Sequence, residues 1–229
     1  MTSTVRGHDE AITHAMEDYL KVIYQLQSEG DKVTTQAIAE RLHVQSPSVT
    51  NMVKRLAEIN LVDHTPYRGV GLTTSGEKAA LEVLRHHRLL ELYLAEALGY
   101  SWDEVHDEAD RMEHTISEEF EARIDRALGY PTTDPHGDPI PTAGGEIQPV
   151  PDLRLGDLAS GDSGIIERVC DRDPEKLRYL GSLGLYPLAH VRVLECYPFD
   201  GPVRVAIDGT EHILGRDLAQ SVQVSRSPR

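Results

Sequence analysis

The chain has only two cysteines, Cys170 and Cys196, which are too far apart for a CxxC site and too few for a disulfide scaffold. Both are read as ordinary reduced thiols. No run of about 18 uncharged apolar residues occurs, so no membrane-spanning helix is expected. The start, MTSTVRGHDEAITHAM, has no apolar core of the kind a signal peptide needs, and the expected location is the cytoplasm. Neither HExxH nor GxSxG is present, which removes the most recognisable hydrolase signatures. There is no internal repeat. What remains, over 229 residues, is the mixture of charged and apolar residues of a globular protein with one large or two to three small domains.

The formal net charge is -15, unpromising for a protein that meets polyanions, but it is unevenly spread. Residues 1–74 carry 7 Lys and Arg against 9 Asp and Glu, residues 75–152 carry 6 against 18, and residues 153–229 carry 10 against 11. The acid excess therefore sits in the middle. A carboxylate-rich centre repels itself and is a natural place for divalent cations, whose binding would also reduce the field opposing DNA phosphates.

Apolar spacing predicts a first helix over residues 9–29, with Met16, Tyr19, Leu20, Ile23, Leu26 and Gln27 on one side and a stop near Gly30. Thr34 caps a short second helix, TQAIAERL. After the turn HVQ, a third helix, SPSVTNMVKRLAEIN, begins with Ser46 as its cap and Pro47 in its first helical position. Val49, Val53 and Leu56 face the core, leaving Ser48, Thr50, Asn51, Lys54 and Arg55 outward or flanking. The segment LVDHTPYRGVGLTT reads as two short strands around a turn carrying Arg68, a hairpin in the position of a wing. Thr74 to Glu77 reads as a capping box for a long helix ending at Gly99, Ser101 to Glu104 as another, and a further helix spans roughly 117–128.

Residues 131–152 hold six of the thirteen prolines and no periodicity, as in a linker or an ordered arm. Beyond them GIIERV, HVRVLECY, VRVAID, HILG and SVQVS are short strands interrupted by one helix, PEKLRYLGSLG, which suggests a five-stranded SH3-like β barrel. The fold class is thus mainly α with a small β domain: a winged helix-turn-helix over residues 1–74, a helical domain with a Pro-rich arm over 75–152, and an SH3-like domain over 153–229.

Chemistry concentrates in HDEADRMEH, where His106, Asp110, Glu113 and His114 fall on one helix face at i, i+4, i+7 and i+8. His87 and Glu91 are at i, i+4 on the preceding helix, and Asp18 lies on the first. Imidazoles and carboxylates projecting from facing helices are how helical bundles build transition-metal sites. A merely solvated acidic face has the same spacing, so spacing alone leaves both readings open.

The segments MEDYLKVIYQL, RHHRLLE, VHDEADRMEH and PHGDPIP resemble successive motifs of the diphtheria toxin repressor family, in that family's order and across the whole chain. The resemblance implies a homodimer that binds a pseudo-palindromic site in double-stranded DNA when manganese(II) or iron(II) is replete, with no membrane involved, and that represses metal-uptake genes. It implies a primary metal site of Asp18, Asp110, Glu113 and His114 and an ancillary site of His87, Glu91 and His106. A further ancillary ligand would come from the C-terminal domain, with Glu167 or Asp171 as the candidates. The iron-sensing branch has Met and Cys where this chain has Asp18 and Asp110, so the donor set is harder and manganese is favoured, with iron(II) the alternative. The manganese branch has a second carboxylate where this chain has Lys21, a cation that cannot bridge two metals, so two separate sites are expected. Metal would fix the winged helices of the dimer for paired half-sites.

On the DNA side, Gln36, Ser46, Pro47, Ser48, Thr50 and Asn51 are the candidates for bases or phosphates, and Lys54, Arg55 and Arg68 for the backbone or minor groove. Two rival readings are a metal-dependent hydrolase and a winged-helix regulator sensing a non-metal ligand. The absent nucleophile motifs weigh against the first, and the clustered ligand types weigh against the second.

Overall fold

The computed structural model describes residues 12–30, 32–65, 69–170 and 173–226. The chain forms two units, residues 1–84 and 85–229. Among the described residues no helix is long and apolar enough to cross a membrane.

The first unit contains α1 (His14–Ser28), α2 (Thr35–Arg41), α3 (Ser46–Glu58), β1 (Val62–Thr65), β2 (Gly69–Leu72) and the beginning of α4 (Thr74–Leu98). The Thr13 and Thr34 hydroxyls accept the backbone N–H groups of Met16 and Ala37, as side-chain caps should. At α3 the cap is Gln45 and not the expected Ser46. The Gln45 carbonyl accepts the N–H groups of Ser48 and Val49, which puts Ser46 and Pro47 both inside the first turn. Proline is harmless there because the missing N–H had no helical partner. The cap of α4 is likewise one residue earlier than expected: the Thr73 hydroxyl accepts the Gly76 N–H and donates to the Asn60 carbonyl, so one side chain both starts α4 and fastens it to the end of α3.

Met16, Leu20 and Ile23 of α1, Ile38 of α2, Val49, Val53 and Leu56 of α3, and Val62 and Val70 of the hairpin are all buried in one core. Each such side chain contributes about 1.5–3 kcal/mol when fully withdrawn from water, an upper bound for a compact unfolded chain. Gln27, expected on the core face, is exposed, and its amide oxygen accepts the Leu72 N–H of β2. The hairpin pairs Val62 with Leu72 through Thr65 with Gly69, as expected of a wing, and Val70 also donates to the Val33 carbonyl. Arg68 lies outside the described residues.

In the second unit the remainder of α4 is followed by α5 (Val105–Met112) and α6 (Glu118–Ala127). The Ser101–Glu104 pair does not cap α5. Their side chains bond at 2.7 Å and the Glu104 N–H meets the Ser101 carbonyl, closing a turn ahead of a helix that has no side-chain cap. Leu89, Leu90 and Leu94 of α4 pack with Val105, Ala109, Ile124 and, from the Pro-rich segment, Ile140. That segment is an ordered arm. Arg85 donates to the Pro141 carbonyl at 2.7 Å, and Arg88 donates to the Pro139 carbonyl and to Asp138.

The β segment contains β3 (Ser163–Val169), α7 (Pro174–Ser182), β4 (His190–Cys196), β5 (Val203–Ile207), β6 (Thr210–Leu214), α8 (Arg216–Gln220) and β7 (Val222–Arg226). The strands are antiparallel in the order β6-β5-β4-β3-β7. The SH3-like domain is therefore an open sheet and not the closed barrel expected from sequence. The free edge of β7 is taken by the incoming chain, where the Leu153 carbonyl accepts the Val224 N–H and Arg154 bridges Gln223. The incoming chain thus pairs with the edge of β7 that a closed barrel would offer to β6.

Gly137 marks where the arm meets β3. Its φ is +87°, and an added Cβ would lie 2.0 Å from the Glu167 carbonyl oxygen. Gly129, at φ +76°, would meet nothing within 4 Å. Gly137→Ala should therefore lower unfolding free energy by at least about 2 kcal/mol, and Gly129→Ala by only about 1 kcal/mol for the backbone conformation. Chemical denaturation of both variants measures this. Equal losses would mean that the approach to Glu167 costs nothing.

Candidate metal centre

Helices α4 and α5 place six ionisable side chains together. His87 and Glu91 are one turn apart on the buried face of α4, while His106 and Asp110 are one turn apart on α5, with Glu113 as its C-terminal cap and His114 next to it. His87 lies at the centre. Its Nε2 is 2.9 Å from Glu91 Oε1 and 3.0 Å from His106 Nδ1, and its Nδ1 is 2.6 Å from Glu113 Oε2 and 3.2 Å from Asp110 Oδ1. His106 Nδ1 is also 3.0 Å from Glu91 Oε1, and Glu113 Oε1 is 3.3 Å from His114 Nε2.

Three of these atoms, His87 Nε2, His106 Nδ1 and Glu91 Oε1, form a triangle with sides of 2.9, 3.0 and 3.0 Å. Ligands roughly 2.1 Å from one octahedral cation and at right angles to each other are about 3.0 Å apart. The triangle thus matches one face of an octahedral site. Asp110, half-exposed, approaches both imidazoles, at 3.2 Å from His87 and 3.7 Å from His106.

The electrostatics follow from burying this set. Burial by itself would lower the pKa of His87, but the Glu91 charge and the hydrogen bonds with Asp110, Glu113 and Glu91 outweigh it and raise the value well above that of an ordinary histidine. Burial would raise Glu91, yet His87 and His106 hold it well below the usual carboxylate range. In the absence of metal, a proton on His87 offsets part of the charge of Glu91, Asp110 and Glu113.

The two ligand sets that the resemblance implied adjoin one another. Asp110 and Glu113, assigned to the primary site, touch His87, assigned to the ancillary one. Asp18 is a half-buried residue of α1, and Lys21 is buried on the same helix. Glu167 belongs to β3, where its carboxylate accepts the Ser225 hydroxyl at 2.5 Å, and it falls in none of the metal-competent groups among the described residues. Asp171 lies outside the described residues.

A second group went unnoticed in the sequence: Glu91, Asp134 and His136, all buried, offer ligand atoms within 4.8 Å of one another. The signal was available as Asp134, His136 and Asp138 alternating in a Gly- and Pro-rich segment, but that segment carries no helical or strand periodicity. Burial, then the neighbouring charges of Asp138 and Glu91, push Asp134 well above the usual carboxylate range despite Arg88. His86 was also missed. It contacts the Glu113 carbonyl at 3.1 Å and Glu121 at 3.0 Å, bracing α5 and α6 against α4.

On α3 the residues proposed for DNA are on the surface. Ser46, Pro47, Ser48, Asn51, Lys54 and Arg55 are exposed, and half-buried Thr50 donates its hydroxyl to the Ser46 carbonyl. Gln36 is exposed on α2, donating to Glu40. An exposed helix face of short polar residues followed by two cations, next to a hairpin, is the form in which a winged helix presents itself to a major groove.

Comparison with known proteins identifies the family. Residues 11–70 match the family described as "Iron dependent repressor, N-terminal DNA binding domain". Residues 73–142 match "Iron dependent repressor, metal binding and dimerisation domain", and residues 153–226 match "FeoA domain". The iron-dependent repressor IdeR of Mycobacterium leprae is 37% identical over 225 residues, covering 92% of this chain and 96% of that protein. A solved manganese-dependent transcriptional repressor in complex with manganese is 45% identical, with a TM-score of 0.88 over 93% of this chain and 100% of that one. The manganese regulator SloR is 32% identical, with a TM-score of 0.77 over 93% and 98%. The chain therefore belongs to the iron- and manganese-dependent DNA-binding repressors, the family of the diphtheria toxin repressor.

Proposed function

We propose that this chain is a manganese(II)-responsive repressor, a regulator and not an enzyme, that acts in the cytoplasm as a homodimer on a pseudo-palindromic operator of metal-uptake genes. The observation that carries the metal reading is the triangle of His87, His106 and Glu91, whose spacing suits one octahedral cation. Asp110 and Glu113 next to it supply carboxylate oxygen and no thiolate, which favours Mn(II) over softer-site metals; Fe(II) is the alternative. Glu113 and His114 are proposed as ligands together with Asp18, the primary set that the resemblance implies. Lys54, Arg55 and Arg68 are proposed for phosphates, and Gln36, Ser46, Pro47, Ser48, Thr50 and Asn51 for positioning and base edges. Each phosphate contact adds to a steep fall of affinity with salt.

In mobility-shift experiments at fixed salt, the protein should bind its promoter site with Mn(II) and bind weakly or not at all in EDTA. Asp18→Ala and His114→Ala should abolish the metal-activated shift. Since His87 touches members of both ligand sets, His87→Ala should be equally damaging, weakening metal affinity by at least about 10–100-fold. Equal DNA affinity with and without chelator would sink the metal-sensor reading. A mild His87→Ala would restore the primary-over-ancillary ranking drawn from sequence.

The proton on His87 must leave before a metal can bind, so apparent Mn(II) affinity should rise with pH. In metal-free protein the sign is opposite. A histidine raised by its partners contributes stability that is complete below about pH 6.5 and is lost as pH rises through its folded value. Thermal melts in EDTA should show the advantage of wild type over His87→Gln shrinking as pH rises above about 6.5, whereas melts in Mn(II) should show it growing. An advantage in EDTA that grows with pH would mean that His87 is neutral in the metal-free protein.

A further inference from the structure

Glu91 uses one oxygen in the cluster just described. The other, Oε2, points at the arm, where it lies 3.9 Å from His136 Nδ1. The same nitrogen is 3.9 Å from Asp134 Oδ1. All three side chains are at least nine-tenths buried, with side-chain exposures of 3% for Glu91, 2% for Asp134 and 8% for His136.

The orientation of the His136 ring decides what its Nδ1 can be. Its Nε2 lies 2.7 Å from the Trp102 backbone carbonyl, which can only accept, so Nε2 carries the hydrogen. The ring is also stacked on the Trp102 indole at a centroid distance of 5.6 Å. When Nδ1 carries no proton, the ring presents a lone pair there to two carboxylates. Three acceptors facing one another away from water are costly unless a positive charge lies among them. A proton on Nδ1 would give an ion pair without a hydrogen bond, because 3.9 Å is too long for one to either oxygen. Arg88 does not serve either: its guanidinium is 3.9 Å from Asp134 Oδ2 and bonds to Asp138 and the Pro139 carbonyl.

A cation fits the gap. Ligand atoms roughly 2.0–2.2 Å from a first-row divalent ion can be at most about 4.4 Å apart, so the two 3.9 Å separations are accommodated. All three ligand atoms lie within 4.8 Å of one another, so a contraction of at most a few tenths of an ångström is needed. Two carboxylates and one dication also cancel in charge. The arm is already shaped for ligation, because Asp134 Oδ1 accepts the backbone N–H groups of His136 and Asp138, which fixes the carboxylate over the turn.

We propose that Glu91, Asp134 and His136 form an additional divalent-cation site, with Glu91 shared through its two oxygens between this site and the His87–His106 pair. The ion is of the hard, first-row class that one imidazole and two carboxylates hold, such as Mn(II). Its filling fastens the arm to α4. Because the His136 carbonyl accepts the Val169 N–H at 2.9 Å, it also steadies the end of β3. The inference rests on the proposed function only in that Glu91 is common to both sites, so its test uses the two ligands that are not.

The experiment is a count of bound Mn(II) per chain in the full-length protein after equilibrium dialysis, for wild type, Asp134→Asn, His136→Gln and His87→Ala. Asp134→Asn keeps the oxygen that accepts the turn's N–H groups, so its melting in EDTA should match that of wild type. Asp134→Asn and His136→Gln should each hold one ion fewer than wild type and lose part of the Mn(II)-induced rise in melting temperature. An unchanged count in both overturns the proposal. If a variant fails to fold, anomalous scattering at the manganese edge from wild-type crystals decides, since a peak at His136 Nδ1 upholds the site and its absence refutes it. Loss of an ion in Asp134→Asn but none in His87→Ala would reject the His87 cluster and leave this site standing, and the reverse pattern would do the opposite.

Discussion

The second unit depends on one constraint: the carboxylate of Glu91 is almost wholly withdrawn from water, and the groups nearest to it are histidines. A buried carboxylate beside lysine or arginine would be permanently satisfied. Beside histidines its compensation is conditional, because each imidazole can give up its proton and become a ligand. The rest of the helical core keeps this conditional charge in place. Arg85 bonds to Glu121, Asp125 and the Pro141 carbonyl, and Arg88 bonds to Asp138 and the Pro139 carbonyl. The hydrogen bonds of Arg85 and Arg88 thus go to the outer acids and the arm, leaving Glu91 to protons or metal.

Most of the first unit was legible in the sequence because local signals and tertiary packing agree there. Val49, Val53 and Leu56 repeat at helical spacing and are the residues buried. The two misplaced caps, at Ser46 and Thr74, are each off by one residue and have one origin. A capping side chain is recognised by type, but the position that acts is set by where the preceding chain is already bonded. Thr73 wins over Thr74 because its N–H and hydroxyl complete contacts to Leu61 and Asn60.

The metal cluster was half legible. Helical spacing puts His106, Asp110, Glu113 and His114 on one face, but it carries no information on how far α5 slides along α4, and that displacement decides which acids meet His87. Asp134 and His136 were harder still. They sit on an irregular segment whose conformation comes from Asx-type bonds, arginine-to-carbonyl contacts and the close approach of Gly137 to β3, none of which leaves a period in the sequence. The same reason applies to the open sheet, where strand count was evident but the bonding of Leu153 and Arg154 to the β7 edge was not.

The indole of Trp102 has a separate consequence. It is the chain's one tryptophan, and it is in contact with His136 on one side and Tyr186 of the β segment, at 4.7 Å, on the other. Its emission therefore arises at the junction of arm, helices and sheet, where the electronic state of a neighbouring imidazole changes how strongly the excited indole is quenched. The protein thereby carries its own optical gauge of what the arm holds, without an added dye and with no second tryptophan to dilute the signal.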